Sequence, residues 1–361
     1  MENPPRAIPG TQPSPLARAL LLVTVVLTGV NLRSFLTAVG PLAAEIGQDT
    51  GLSYQGMAWL TFLPVVLMGL GAFAGPWIGQ RLGIRRSVLW ALALLALGSG
   101  LRLVAPDGLS LLATAAMCGL GVAVVQALFP AIIKGGFSQK LAPVMGLYSA
   151  AMMGGGALGA ELSPVVAKGY GEHGWHEALA WLALPCVIAL GMAWVCLPKE
   201  RPSTTGRRRT PLGPFLRRPR TWLLMACFGL VNGGYSSIVA WLAPFYQTHH
   251  WDSGSSGHLV AVMALAQAAA ALTLPALAGE NRDRRRWLWV ALAMQCFGFC
   301  GLAALPEAAP ELWAVLTGAG LGGFFALGLV VALDHLNDPE DAAALGALMQ
   351  GGGFVIAALA P

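Results

Sequence analysis

The segment TGVNLRSFLTAVGPL (28–42) would pass for a lipid-embedded helix were it not for Arg33 at its centre. An arginine in the middle of a membrane span costs about 2.5–3.5 kcal/mol on insertion scales. One other charge is set as deeply in an apolar stretch, Glu161 in the segment 141–167. A guanidinium and a carboxylate in such places can do two things. They can pair and hold helices together. Alternatively, Arg33 offers positive charge to an anionic or electron-rich ligand, while Glu161 is a proton site or the counter-charge of Arg33. Substrate competing for Arg33 would then alter the protonation of Glu161, a physical route to proton coupling.

Helical geometry sorts the neighbours of these charges. Gly29, Arg33, Thr37 and Gly40 share one helix face, and Asn31 lies about 160° round from Arg33. Ala150, Gly154, Ala157, Glu161 and Pro164 form a face of small residues suited to close helix contact. Arg102, followed by Pro106 and Asp107, is expected to snorkel to the membrane interface.

The elements that must position these residues are membrane helices. The chain has 361 residues, 56% hydrophobic and only 11% charged, against about 25% charged in a soluble globular domain. Ten nearly charge-free stretches run approximately 17–44, 53–79, 87–105, 109–134, 141–167, 178–197, 221–247, 258–278, 287–305 and 311–334. An eleventh begins near Ala342 and reaches Pro361, too short to span, which predicts a chain truncated within span 11. With the N-terminus cytoplasmic and the loops alternating, every Lys and Arg except Arg33, Arg102 and Lys168 falls on the inner side. This is the positive-inside rule in strong form, so the basic balance calls for anionic lipid and not for nucleic acid.

The segments then divide as follows. Residues 1–16 form a proline-rich cytoplasmic tail, 17–197 a first six-helix bundle, 198–220 a basic cytoplasmic linker, and 221–361 a second bundle with spans 7–10 and part of 11. An offset of 201 maps Arg81 to Arg282, Arg85 to Arg286, and Gly119-Leu120-Gly121 to Gly320-Leu321-Gly322, as a parallel repeat would.

The loop GPWIGQRLGIRRS (75–87) resembles the major facilitator signature between spans 2 and 3, matching it at Arg81, Gly83, Arg85 and Arg86, with Gln80 where the signature has aspartate. NLRSFLTAVGPLAAEIGQDTGLS (31–53) is similar to the first span of the cyanate permease and 2-nitroimidazole transporter family. So are Pro130–Lys134, Trp241–Pro244 and GLGGFFALGLVVALDH (320–335). The resemblance implies an all-α integral membrane protein of major facilitator fold, with two six-helix bundles and a central cavity lined by spans 1, 4 and 7. Substrate-binding candidates are then Arg33, Asn31 and Thr37 from span 1, Gln126 from span 4, and Asn232, Tyr235 and Trp241 from span 7. Arg81, Gly83, Arg85, Arg86 and Asp334 are expected in the gating loops.

Nothing points to catalysis. All six histidines lie outside the spans or at their ends, and Gly318-x-Gly320-x-x-Gly323 sits in an apolar span with no strand before it. The six cysteines read as packing residues, so no metal or other cofactor is expected. The expectation is a monomeric secondary transporter of the bacterial inner membrane, with a small anion or small polar heteroaromatic as substrate and protons as coupling ion. The alternatives are a drug or metabolite exporter of the same fold and a non-transporting membrane sensor or scaffold.

Overall fold

The computed structural model describes residues 15–137, 141–171, 173–197, 213–278, 283–334 and 339–360. These form fourteen α-helices: α1 Pro15–Thr37, α2 Ala43–Thr50, α3 Tyr54–Leu82, α4 Ile84–Leu101, α5 Gly108–Gly136, α6 Leu141–Tyr170, α7 Trp175–Ala180, α8 Ala183–Cys196, α9 Gly213–Leu216, α10 Pro219–Thr248, α11 Ser253–Ala278, α12 Arg285–Ala304, α13 Pro310–Asp334 and α14 Pro339–Ala358. Nine helices among the described residues are long and apolar enough to cross a membrane. Residues 1–14 of the expected tail, 198–212 of the expected linker, Arg282 and the 335–338 stretch lie outside the described residues.

The local signals explain where helices begin and end. The Ser53 hydroxyl caps α3 by accepting from Gly56 N. Asp107 and Ser110 form a reciprocal capping box at the start of α5. Gly83 joins α3 to α4 at φ +86°, a conformation that side chains avoid. The expected continuous span 17–44 is instead broken. α1 stops at Thr37, a 3-10 turn covers Gly40–Leu42, and α2 follows. Pro41 has no N–H to continue the ladder, and periodicity alone does not register that loss.

The molecule has its polarity inside out. Leu109, Trp90, Val195 and Leu230 are exposed, whereas Asn31, Arg33, Arg102, Asn232 and Gln267 are buried. Lipid solvates the apolar exterior, and the polar groups must find partners or ligands within the bundle.

Glycines set the closest helix contacts. A Cβ on Gly155 of α6 would sit 1.9 Å from Val30 O of α1, and one on Gly159 would sit 2.4 Å from Ser34 O. In the second half, Gly318 and Gly322 of α13 meet α11 in the same manner at Met263 O and Gln267 O. The repeat is real in packing, but its register differs from the expected one. Gly119 packs on α3 at Pro64 and Gly121 on α4 at Ala91, while Gly318 packs on α11 and Gly320 on α12 at Ala291. Gly119 therefore corresponds to Gly318 and Gly121 to Gly320. A slip of two residues keeps a Gly-x-Gly string matched, so the string conceals which neighbour each glycine faces. The halves meet where α6 lies on α11 and α3 lies on α14.

Candidate functional site

Arg33 points from α1 into the middle of the molecule and is 2% exposed. Its guanidinium carbon lies 4.1 Å from the ring centroid of Tyr235 in α10 and 5.7 Å from that of Phe325 in α13. One arginine of the first half is thus seated on aromatic faces of the second. Among the described residues no carboxylate pairs with it, and its buried Nε and Nη1 have no hydrogen-bond partner there.

The expected pairing of Arg33 with Glu161 is not formed. A Cβ built on Gly156 would lie 3.6 Å from the Arg33 Cβ, so Gly156 is the α6 residue level with Arg33. Glu161 is five residues further on, about 7.5 Å along the helix. Side chains lean toward the N-terminus of their own helix, which carries the Arg33 fork the other way. Glu161 instead has His258 of α11 as its partner, Nδ1 to Oε2 2.9 Å, and both side chains are half-exposed.

Two further candidates on α1 turn out to be occupied in holding the bundle. Asn31 Nδ2 donates to Leu27 O at 2.7 Å and to Pro185 O at 3.1 Å, while the Cys186 thiol donates to Asn31 Oδ1. Asn31 therefore ties α1 to α8, on the side away from Arg33, as its angular position requires. Thr37 Oγ1 donates to Gly156 O at 2.6 Å and ties α1 to α6. Both side chains make interhelix contacts in this structure.

The remaining candidates have partners of their own. Gln126 of α5 donates from Nε2 to Met152 Sδ. Asn232 of α10 donates to Phe228 O one turn back and lies one turn before Ser236. Trp241 sits two turns along α10 from Asn232, toward the Pro41 end, with its ring centroid 6.2 Å from that of Tyr54.

Tyr148 of α6 did not feature in the sequence reading. It is 4% exposed and its ring stacks on Phe129 of α5 at 5.5 Å. Its hydroxyl has no hydrogen-bond partner among the described residues, and its backbone O lies 3.1 Å from where a Cβ on Gly29 would sit, one turn before Arg33 on the same face of α1. The available signal was a tyrosine in an apolar span, where the hydroxyl must find a partner. Phe325 was also missed, since an aromatic in an apolar helix carries no distinguishing mark.

Arg102 corrects another expectation. It is fully buried instead of snorkelling. Its Nη1 donates to Phe35 O at 3.1 Å, the carbonyl that an unbroken helix would give to Val39. His176 Nδ1 lies 2.9 Å from Arg102 O, and α7 packs on the 3-10 turn Arg102–Val104. The break in α1 creates an orphan carbonyl, and Arg102 satisfies it.

At the Pro41 end the two halves are tied by polar contacts. Lys168 Nζ lies 3.0 Å from Asp252 Oδ2, and Gln247 Nε2 donates to Pro41 O at 2.7 Å and to Ser256 Oγ at 3.0 Å. At the opposite end Arg81 lies over the Trp77 ring at 4.3 Å, Arg85 Nη2 donates to Trp194 O at 2.6 Å, and Arg86 is exposed. The side chain of Asp334 lies outside the described residues. Among the described residues no group of three or more His, Cys, Asp or Glu is arranged to hold a metal ion.

Comparison with known proteins agrees with this architecture. The family model described as Major Facilitator Superfamily matches residues 21–361. Cyanate transport protein CynX of Escherichia coli (strain K12) is 46% identical over 341 residues, covering 94% of this chain and 88% of that protein. The 2-nitroimidazole transporter of the same organism is 29% identical over 351 residues, covering 95% and 87%. Among solved structures, a bacterial homolog to the human lysosomal transporter Spinster, inward-facing and unoccupied, aligns with TM-score 0.79 at 17% identity, covering 96% of this chain and 82% of that one. A D-xylose-proton symporter aligns with TM-score 0.75 at 12% identity, covering 94% and 89%. At those identities the structural likeness speaks for the fold. The family model and the 46% relative speak for descent: this chain belongs to the Major Facilitator Superfamily and is a multi-pass membrane transporter, not an enzyme.

Proposed function

We propose that this protein carries a small anion of the cyanate type across the bacterial inner membrane by alternating access, with Arg33 as the binding charge. The observation that carries the reading is the buried guanidinium of Arg33, unpaired and seated between the halves on Tyr235 and Phe325. A buried charge with no partner is costly, and a ligand that supplies the missing charge and acceptors removes that cost. The name of the 46% identical relative supports the same substrate class.

A second substrate class, a small polar heteroaromatic such as a nitroimidazole, is favoured by a separate observation. The rings of Tyr235 and Phe325 lie against Arg33, and a flat ring would stack on such faces. The 29% identical relative supports it.

On this reading the basic end, with Arg81, Arg85 and Arg86, faces the cytoplasm together with the N-terminus, and the Pro41 end faces outward. The contacts at Lys168–Asp252 and Gln247–Pro41 close the outer end. Protons couple through Glu161 and His258, which join a carboxylate on one half to an imidazole on the other. The protein works as a monomer in the lipid bilayer. Uptake of cyanate, other small anions and nitroimidazoles by proteoliposomes, with and without an imposed proton gradient, tests the proposal. Saturable cyanate uptake is expected. Absence of uptake for every compound in the panel would end it.

A further inference from the structure

Arg33 is not the only unsatisfied donor in the central site. Tyr148 comes from α6, the helix whose glycines bring α1 into contact, and it shares the interior with Arg33. Its ring is held by the stack on Phe129, so the hydroxyl is fixed and not free to swing toward solvent. One turn further along α6, Met152 accepts from Gln126 of α5, which pins the same pair of helices again. A phenol in such a place normally finds an acceptor. Its hydroxyl has no partner among the described residues.

We infer that Tyr148 is a substrate-binding residue that donates its O–H to the same anion that Arg33 neutralises. The inference rests on the anion reading of Arg33 and deepens it. Arg33 supplies the charge and part of the hydrogen bonding, and Tyr148 supplies an aimed neutral donor from a different helix. Two donors converging from α1 and α6 select a small solute that is negatively charged and carries at least two acceptor positions. A cation gains nothing from either group. A neutral ring gains stacking but not the charge-assisted bonds.

The test is Tyr148→Phe, which removes the hydroxyl and keeps the ring. Cyanate is the probe, and the full chain is used both in proteoliposomes for KM and in detergent for thermal unfolding. The KM for cyanate is expected to rise about tenfold or more, the scale of one hydrogen bond to a charged partner. Without cyanate, the variant should unfold at the same temperature as the wild type or higher, because it no longer buries an unpartnered hydroxyl. Added cyanate should raise the unfolding temperature of the variant less than that of the wild type. An unchanged KM would overturn the inference. So would a marked loss of stability in the variant without ligand, since that is the signature of a structural hydrogen bond. Arg33→Gln, which removes the charge, separates the two levels. If Arg33→Gln weakens cyanate uptake and Tyr148→Phe does not, only the role of Tyr148 fails. If neither changes it, or wild type takes up no anion, the anion reading fails and the inference with it.

Discussion

Arg33 and Arg102 are both buried arginines of the first half, yet their surroundings assign them different work. Arg102 donates to the carbonyl left over by the break in α1, so it belongs to the scaffold. Arg33 donates to nothing among the described residues and lies on rings from the other half. That Arg33 matters was legible in the sequence, because a charge at mid-span needs a reason. Its partner was not legible. Whether it meets Glu161 depends on which way each side chain leans, and that follows from the relative height of two helices. His258 as the partner of Glu161 lies on a different half of the chain, with nothing in the local pattern to mark it. On the proton-coupling proposal, Glu161→Gln leaves cyanate binding intact within about threefold and abolishes the stimulation of uptake by an imposed proton gradient. Gradient-stimulated uptake that persists in that variant would remove Glu161 from the coupling.

At the level of elements, composition revealed the helices and little of their contacts. Nine of the ten expected apolar stretches match long helices of the described residues to within a few residues at most ends, and the tenth, 178–197, is divided between α7 and α8. The reason is that about 20 residues are needed to cross the hydrocarbon. The broken end of α1 was invisible to that criterion. The glycine repeat was visible as a string but misregistered, because packing partners and not letters define equivalence. The contact of α1 with α6 gives a sharp prediction. Gly155→Ala would drive a methyl group into Val30 O, and no flexible side chain is there to yield. A loss of about 1–3 kcal/mol or more is expected, read as a lower unfolding temperature in detergent. Gly154→Ala, next along the same helix, meets nothing within 4 Å and should stay within about 0.5 kcal/mol of wild type. Equal effects of the two would contradict the packing described.

At the level of the whole molecule, polar contacts at the Pro41 end tie the two halves. Hydrogen bonds from Ser255, followed by the Lys168 contact, hold the Asp252 carboxyl well below the ordinary carboxylate range. A depressed value means that the contact is fully present above the ordinary aspartate value, about 3.9, and is lost as pH falls through the depressed one. The latch between the halves is therefore intact at neutral pH and fails only in strong acid. Both partners are more than half exposed, so the contact is a weak one that biases an equilibrium and does not lock it. Asp252→Asn should shift the population toward an open Pro41 end. With the native cysteines replaced, Ser256→Cys, at a position buried beneath the latch, should react with a membrane-impermeant maleimide severalfold faster in the Asp252→Asn background. Equal labelling rates would mean that this contact does not hold the end closed.

The central claim is that the unpaired guanidinium of Arg33 is the anion-binding charge. Its most direct measurement is the initial rate of labelled cyanate uptake into proteoliposomes by wild type and Arg33→Gln, at matched protein content and with unfolding temperatures recorded for both. Removing the charge is expected to lower uptake at low cyanate concentration by at least about a hundredfold, the scale of a buried charge-assisted contact. The variant should unfold no earlier than wild type, because it buries no unpaired charge. Uptake by Arg33→Gln equal to that of wild type would contradict the claim.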